Sequence, residues 1–177
     1  MNITLIDDSA DLFQVDSVYP QDLLDKFAVV DHLQTDWRKE EWQTEYSRRR
    51  LIYAADSIYA QLENCVKTHL RNVSKIIGID IVRCDTGFWL DLPGFNMSPH
   101  LDNERVKATM QVYLNTNQSP LGTVFYHADE SIRYQSPYVK NTGYVIINGP
   151  QQTHGMGYPV PDNSYRISSY TWFYPKA

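Results

Sequence analysis

Val106-Lys107-Ala108-Thr109-Met110-Gln111-Val112-Tyr113-Leu114-Asn115 sets Val106, Ala108, Met110, Val112 and Leu114 against Lys107, Thr109, Gln111 and Tyr113. Side chains on a strand alternate between faces, so this run reads as a strand with one apolar and one polar face. In an ordinary sheet the polar face would meet water. If the apolar face packs on a helix instead, the polar face lines the inside of a barrel, where a polar ligand would meet it. The stretch 165–174 repeats the pattern, with Arg166, Ser168, Tyr170 and Trp172 on one face and Ile167, Ser169, Thr171 and Phe173 on the other. An arginine turned inward is costly unless an anion meets it, so Arg166 implies a carboxylate or phosphate ligand.

Further strands are expected over 79–84, 87–92, 122–126, 131–134 and 144–148, separated by Gly, Pro and Asn turns. Upstream, Leu51, Ala55, Ile58, Leu62, Cys65, Val66 and Leu70 recur at spacings of three and four, which predicts one long amphipathic helix over 47–71 that backs a sheet. Residues 1–46 are acidic and aromatic without strong periodicity: Asp7 to Asp11 reads as a turn, and Tyr19-Pro20 leads into a short helix through Leu23, Leu24 and Phe27. Trp37 and Trp42 stand among charges, so this part either covers the core or folds over a substrate, the cover being the simpler reading. A helix followed by a run of strands fits an α+β domain, mainly β with supporting helices, or a helix-buttressed β-barrel. One domain is expected over 1–177, with 1–78 as cover and helical buttress and 79–177 as the core.

The chain carries a formal net charge of −5 and its one basic cluster is Arg48-Arg49-Arg50, which reads as a solvated face at a helix start; no nucleic-acid partner is expected. No stretch approaches the roughly 20 apolar residues of a membrane span, and Met1 to Asp8 lacks the basic start of a signal peptide. The expectation is a cytoplasmic protein with no membrane partner. Cys65 and Cys84, on a helix and a strand, read as reduced buried thiols. His69 is expected to favour the C-terminus of its helix, and His32 to lie on the surface.

Just upstream of the deciding strand stands Pro99-His100-Leu101-Asp102. In an extended segment His100 and Asp102 point to the same side. A second imidazole returned to that side, with His154 as the candidate, gives two neutral nitrogens and one carboxylate on one face of a metal. That set suits octahedral iron(II) with three positions open to other ligands.

His100-Leu101-Asp102-Asn103, then Gln111 to Asn115, then His154, then Arg166 with Trp172 six residues on, resembles the iron(II)- and 2-oxoglutarate-dependent dioxygenases, in particular the prolyl 4-hydroxylase-like branch, over roughly 79–174. The resemblance implies a double-stranded β-helix, a jelly-roll or cupin-like barrel of two facing antiparallel sheets. It implies that His100, Asp102 and His154 hold Fe(II) and that Arg166 holds the far carboxylate of 2-oxoglutarate. Tyr113 would donate to the same carboxylate, Ser168 would add a donor, Thr109 and Gln111 would line the cosubstrate pocket, and Trp172 would pack beside the metal. With O2 as co-reactant, the implied reaction is oxidative decarboxylation of 2-oxoglutarate to succinate and CO2, coupled to hydroxylation of a small molecule, amino acid or peptidyl substrate, prolyl included. Asp102 favours hydroxylation over halogenation, since halogenating relatives lack that carboxylate.

A rival pair exists at His127-Ala128-Asp129. From Asp102 to His154 is 52 residues, room for the four strands the fold inserts there; from Asp129 to His154 is 25, which fits two at most. His127 is therefore expected at the substrate mouth, with Arg83, Trp89 and the loop 91–97. Two alternative classes stay open: a cupin-like metal-binding barrel that does not turn over 2-oxoglutarate, and a binding or regulatory module descended from the enzyme fold.

Overall fold

The structure is a computed structural model and describes residues 1–7, 9, 11–33, 37–38, 48–51, 53–103, 105–116 and 120–176. In chain order come strands β1 (Asn2–Leu5) and β2 (Leu12–Asp16), helix α1 (Gln21–Ala28), and strands β3 (Trp37–Arg38) and β4 (Arg48–Leu51). Helices α2 (Ile58–Thr68) and α3 (Leu70–Ile77) follow, then β5 (Ile81–Asp91), β6 (Ala108–Tyr113), β7 (Thr123–Tyr126) and β8 (Ile132–Gln135). The chain closes with β9 (Thr142–Ile147), β10 (His154–Met156) and β11 (Arg166–Pro175).

All six residues of β6 are buried because both faces of the strand are covered. Ala108, Met110 and Val112 join Ile167 and Phe173 of β11, Phe88 and Leu90 of β5, and Leu62, Val66, Val73 and Ile77 of the two helices in one apolar core. The opposite, polar face of β6 is turned inward, as the alternation requires.

The strands form two antiparallel sheets, one of eight strands in the order β1-β2-β9-β6-β11-β5-β4-β3 and one of three in the order β10-β7-β8. Leu12, Tyr144 and Ile146 of the larger sheet meet Phe125 of the smaller one, with Tyr134 packed against them, so the sheets face each other. Among the described residues the architecture is mainly β with three helices packed on the outer face of the larger sheet.

A single long helix over 47–71 is not found. Arg48 to Arg50 pair with β5 instead, and the helical run starts at Ile58, where the Ser57 hydroxyl caps it by accepting from the Ala60 amide at 3.3 Å. Leu51 matches helical spacing by coincidence: it is buried as the last residue of a strand. The run breaks at His69 and ends at Gly78, whose φ of 70° is the left-handed cap that glycine adopts without strain. The His69 ring lies 3.1 Å from the Val18 carbonyl, so it ties the α2–α3 junction to the segment before α1. His32 is buried rather than exposed: its ring lies 4.1 Å from that of Phe27, and its Nδ1 is 3.0 Å from the Tyr59 hydroxyl. Cys65 and Cys84 are free thiols, half-buried and buried respectively. Trp42 lies outside the described residues.

The strands expected at 79–84 and 87–92 are one strand, β5, which pairs along its length with β11. Thr86 and Thr171 join hydroxyls across that pair at 2.9 Å, which lets polar residues continue the ladder where a turn was expected. No helix among the described residues is long and apolar enough to cross a membrane.

Gly143 marks a close approach of β9 to β6, since a Cβ there would sit 1.8 Å from the Gln111 carbonyl oxygen. Backbone cannot rotate aside as a side chain can. Gly143→Ala is expected to cost about 2–4 kcal/mol by local strain, read as a lower urea midpoint; an unchanged midpoint would show that the sheet relaxes there.

Candidate active site

The register of the larger sheet arranges its inner face in rows. Arg48, Asp91 and Arg166 form one row; Arg50, Trp89, Ser168 and Tyr113 the next. Gly87, Tyr170, Gln111 and Tyr144 form a third, and Asp85, Trp172, Thr109 and Ile146 a fourth. Successive rows stand roughly 7 Å apart, two residues along each strand. Gly87 is bare for a reason: a Cβ there would lie 3.1 Å from the Trp172 ring.

His100 and His154 are joined by an isolated antiparallel bridge, with His100 N to His154 O at 2.9 Å and the reverse at 3.0 Å. Each imidazole then donates from Nδ1 to the carbonyl two residues earlier, His100 to Ser98 O at 3.0 Å and His154 to Gln152 O at 2.8 Å. That fixes both tautomers and leaves both Nε2 lone pairs free to ligate. The Nε2 atoms lie 3.9 and 3.8 Å from Asp102 Oδ1. Asp102 Oδ2 is taken by Thr109 Oγ1 at 2.9 Å and by the Tyr170 hydroxyl at 2.6 Å, so Oδ1 is left toward the two imidazoles. Ligating atoms of the three residues lie within 4.8 Å of one another. Burial lowers the His154 pKa against the opposing pull of Asp102, which favours the neutral, ligating form.

Two layers support this triad. Phe125 stacks on His154 with ring centroids 5.5 Å apart. Behind it, Gln152 donates to Asp11, and Arg133 pairs with Asp11 at 2.6 Å and Asp7 at 2.7 Å, so the turn between β1 and β2 is tied to the segment that holds His154. The Arg133 hydrogen bonds hold the Asp7 carboxyl well below the usual carboxylate range. Tyr170→Phe removes one of two donors on Asp102 Oδ2 while keeping the ring, and is expected to weaken metal binding roughly 10-fold. Calorimetric titration with nickel(II) reads it, and an unchanged affinity would deny Tyr170 any part in orienting Asp102.

The triad opens on a cavity of about 210 Å³ lined also by Arg48, Trp89, Gln111, Thr123, Tyr144, Arg166, Tyr170 and Trp172. Of the residues singled out from sequence, His100, Asp102, His154, Arg166, Gln111, Trp89 and Trp172 meet here. Ser168 sits behind Gln111, accepting from its amide at 2.9 Å, and Thr109 stands behind Asp102. The Tyr113 hydroxyl accepts from the Thr123 amide at 2.8 Å and donates to Thr123 Oγ1, which donates to Gln111 Oε1 at 3.0 Å. Tyr113 therefore reaches the cavity through Thr123 and Gln111. Arg83 lies outside it, exposed beside Asp85 and over the Tyr174 ring at 4.2 Å. His127 is exposed in the tight turn after β7, where its carbonyl accepts from Glu130 N, and Asp129 is engaged by Ser131.

Arg48, Thr123, Tyr144 and Tyr170 were not found as site residues from sequence, and Asp91, expected in a loop at the substrate mouth, is the fully buried last residue of β5. Arg166 gives Nε and Nη2 to Asp91 Oδ2 at 2.8 and 2.7 Å, and Nη1 to Leu121 O at 2.9 Å. Arg48 Nε stands 2.9 Å from Asp91 Oδ1. The reading of Arg48-Arg49-Arg50 as a solvated helix start is thus corrected: β4 is a strand, so Arg48 turns inward while Arg49 stays exposed. Desolvation opposes both buried charges; it lowers the Arg48 pKa, whereas at Arg166 Asp91 together with Tyr113 and Tyr138 outweighs it and raises that pKa.

No protein-family model and no curated protein matches this chain. Solved structures do, and they place its fold among the prolyl 4-hydroxylase-like proteins and the 2-oxoglutarate-Fe(II) oxygenases, the group to which the sequence motifs pointed. A prolyl-4-hydroxylase of Pseudomonas putida aligns over 94% of both chains with a TM-score of 0.73 at 17% identity. HygX of Streptomyces hygroscopicus, solved with nickel and 2-oxoglutarate bound, aligns over 95% of this chain and 84% of its own with a TM-score of 0.68 at 11% identity. A Trichoplax adhaerens prolyl hydroxylase in complex with a peptide fragment of the hypoxia inducible factor oxygen degradation domain covers 94% of this chain and 84% of its own, with a TM-score of 0.68 at 11% identity.

Proposed function

We propose that this chain is an iron(II)- and 2-oxoglutarate-dependent oxygenase built as one domain on a double-stranded β-helix, the two sheets being its walls. The observation that carries the reading is the meeting of His100, Asp102 and His154 on the wall of a cavity that also receives the buried Arg166. The donor set fits the metal: two neutral imidazole nitrogens and one carboxylate oxygen, each oriented by a second hydrogen bond, leave one side open to a chelating acid and O2. When bound, iron with 2-oxoglutarate supplies oxidative decarboxylation to succinate and CO2 and the oxidising power for hydroxylation.

The residues position and shield. His100, Asp102 and His154 hold the metal. Arg166 receives the far carboxylate of the cosubstrate, with the second amide hydrogen of Gln111 as a neighbouring donor, while Ser168 holds the Gln111 amide and the Thr123 and Tyr144 hydroxyls, the former backed by Tyr113, hold its Oε1. Trp89, Trp172 and Met97 frame the opening and keep water from the reacting face. The substrate is a small molecule, amino acid or peptide rather than a nucleic acid, and the cytoplasm is the proposed compartment. Anaerobic titration of iron(II) and 2-oxoglutarate into metal-free protein tests this by the weak visible charge-transfer band of the chelate. The band is expected; silence in folded, iron-loaded protein would move the chain to the cupin-like metal proteins.

A further inference from the structure

Asp91 is fully buried, and two guanidinium groups converge on it from adjacent strands in register. Arg166 presents its Nε and Nη2 edge to Asp91 Oδ2. A cation matched so closely by a buried carboxylate still offers hydrogen bonds to a ligand, but little net charge. Arg48 restores that charge. Its Nε faces Asp91 Oδ1 at 2.9 Å without a hydrogen-bonding angle, and its guanidinium lies 4.5 Å from the Trp89 ring centre and 5.1 Å from that of Phe95. Its Nη1 contacts the Met97 sulfur at 3.8 Å. Two guanidiniums and one carboxylate leave a surplus of one positive charge at the cavity wall that both arginines line.

Resting on the oxygenase reading, we propose that Arg48 is a second cosubstrate-binding residue, the cation that gives this end of the cavity its net charge for the far carboxylate of a 2-oxo diacid. Asp91 is then the positioning group that holds both arginines. The charges support a dianion in particular. A divalent metal beside Asp102 leaves one surplus positive charge at the triad, and the Asp91 row leaves another. A 2-oxo diacid cancels both, whereas a 2-oxo monoacid leaves one buried and uncompensated.

The test uses nickel(II)-loaded protein, which is redox-inert, titrated calorimetrically with 2-oxoglutarate and with 2-oxopentanoate, its analogue ending in a methyl group. Arg48→Met is expected to weaken 2-oxoglutarate binding roughly 10- to 100-fold and to leave 2-oxopentanoate within about twofold. Adding Asp91→Asn to Arg48→Met removes the negative charge that now cancels Arg166, and is expected to recover most of the loss. Unchanged 2-oxoglutarate affinity in Arg48→Met overturns the proposal, as does equal weakening of both acids or a double variant that recovers nothing. Arg48→Lys keeps the cation and is expected to keep the preference for the diacid even if Arg48→Met folds poorly; a folded lysine variant without that preference also overturns it. Native nickel protein that binds neither acid would bring down the oxygenase reading itself, whereas a native protein that binds and an arginine variant that binds equally well would remove only Arg48.

Discussion

Asp102→Asn is expected to lose metal binding by roughly 1000-fold or more while the fold stays intact. The carboxylate is split between two tasks: Oδ2 accepts from Thr109 and Tyr170, and Oδ1 faces both imidazoles. An asparagine satisfies the first task with its carbonyl, and in doing so turns its NH2 group, which has no lone pair to give, toward the metal position. Thermal unfolding of the metal-free variant should therefore match the native protein, whereas the rise in melting temperature that metal confers on the native protein should vanish. His127→Ala serves as the comparison, because His127 is exposed in a turn and belongs neither to the triad nor to the cavity lining. Its metal affinity is expected to equal that of the native protein. An Asp102→Asn protein that keeps its metal, or a His127→Ala protein that loses it, would sink the assignment of the ligands.

Arg166→Ala is expected to act on two observables at once. It removes the proposed partner of the cosubstrate, and 2-oxoglutarate affinity should fall roughly 100-fold or more. It also breaks a fully buried ion pair and frees the Leu121 carbonyl, which costs about 3 kcal/mol in unfolding free energy, softened because Asp91 keeps Arg48 beside it. Urea denaturation reads the second effect and calorimetry on metal-loaded protein at low temperature the first. Metal affinity is the arbiter. Arg166 lies in the Asp91 row, two rows from Tyr170 and three from Thr109, the residues that hold Asp102, so nickel binding should change by no more than a few-fold. Loss of metal and cosubstrate in equal measure would make Arg166 a structural residue.

The interior of this site was readable because the strands that build it alternate strictly. Thr109 and Gln111 on one strand and Arg166, Ser168, Tyr170 and Trp172 on another declare a polar face where the opposite face is apolar, and a period of two leaves little choice of which residues share a side. His100 and Asp102 followed from the same rule. What stayed hidden arrived from elsewhere in the chain. Arg48 belongs to a four-residue strand whose Leu51 happens to continue the helical spacing of Ile58, Leu62 and Val66, so the local pattern pointed to the wrong element. The signal available was Ser57, a good helix cap standing after that arginine cluster. Asp91 was read as part of a mouth loop because its pairing with Arg48 and Arg166 exists only once three strands lie side by side. Tyr113 was read correctly as inward, but the Thr123 hydroxyl that intervenes comes from the opposite sheet, and no pattern within β6 reports it.

The middle of the larger sheet is filled by β11, which lies between β6 and β5 although it follows both in sequence. During synthesis those two strands are made well before the strand that separates them, and each must wait with an open edge. Exposed edges invite pairing with other chains, and closing contacts as remote as Asp91 with Arg166 is slow. Closure of the sheet therefore waits for β11, and recovery of native protein in a foreign host should improve when cooling or chaperones slow the competition from aggregation.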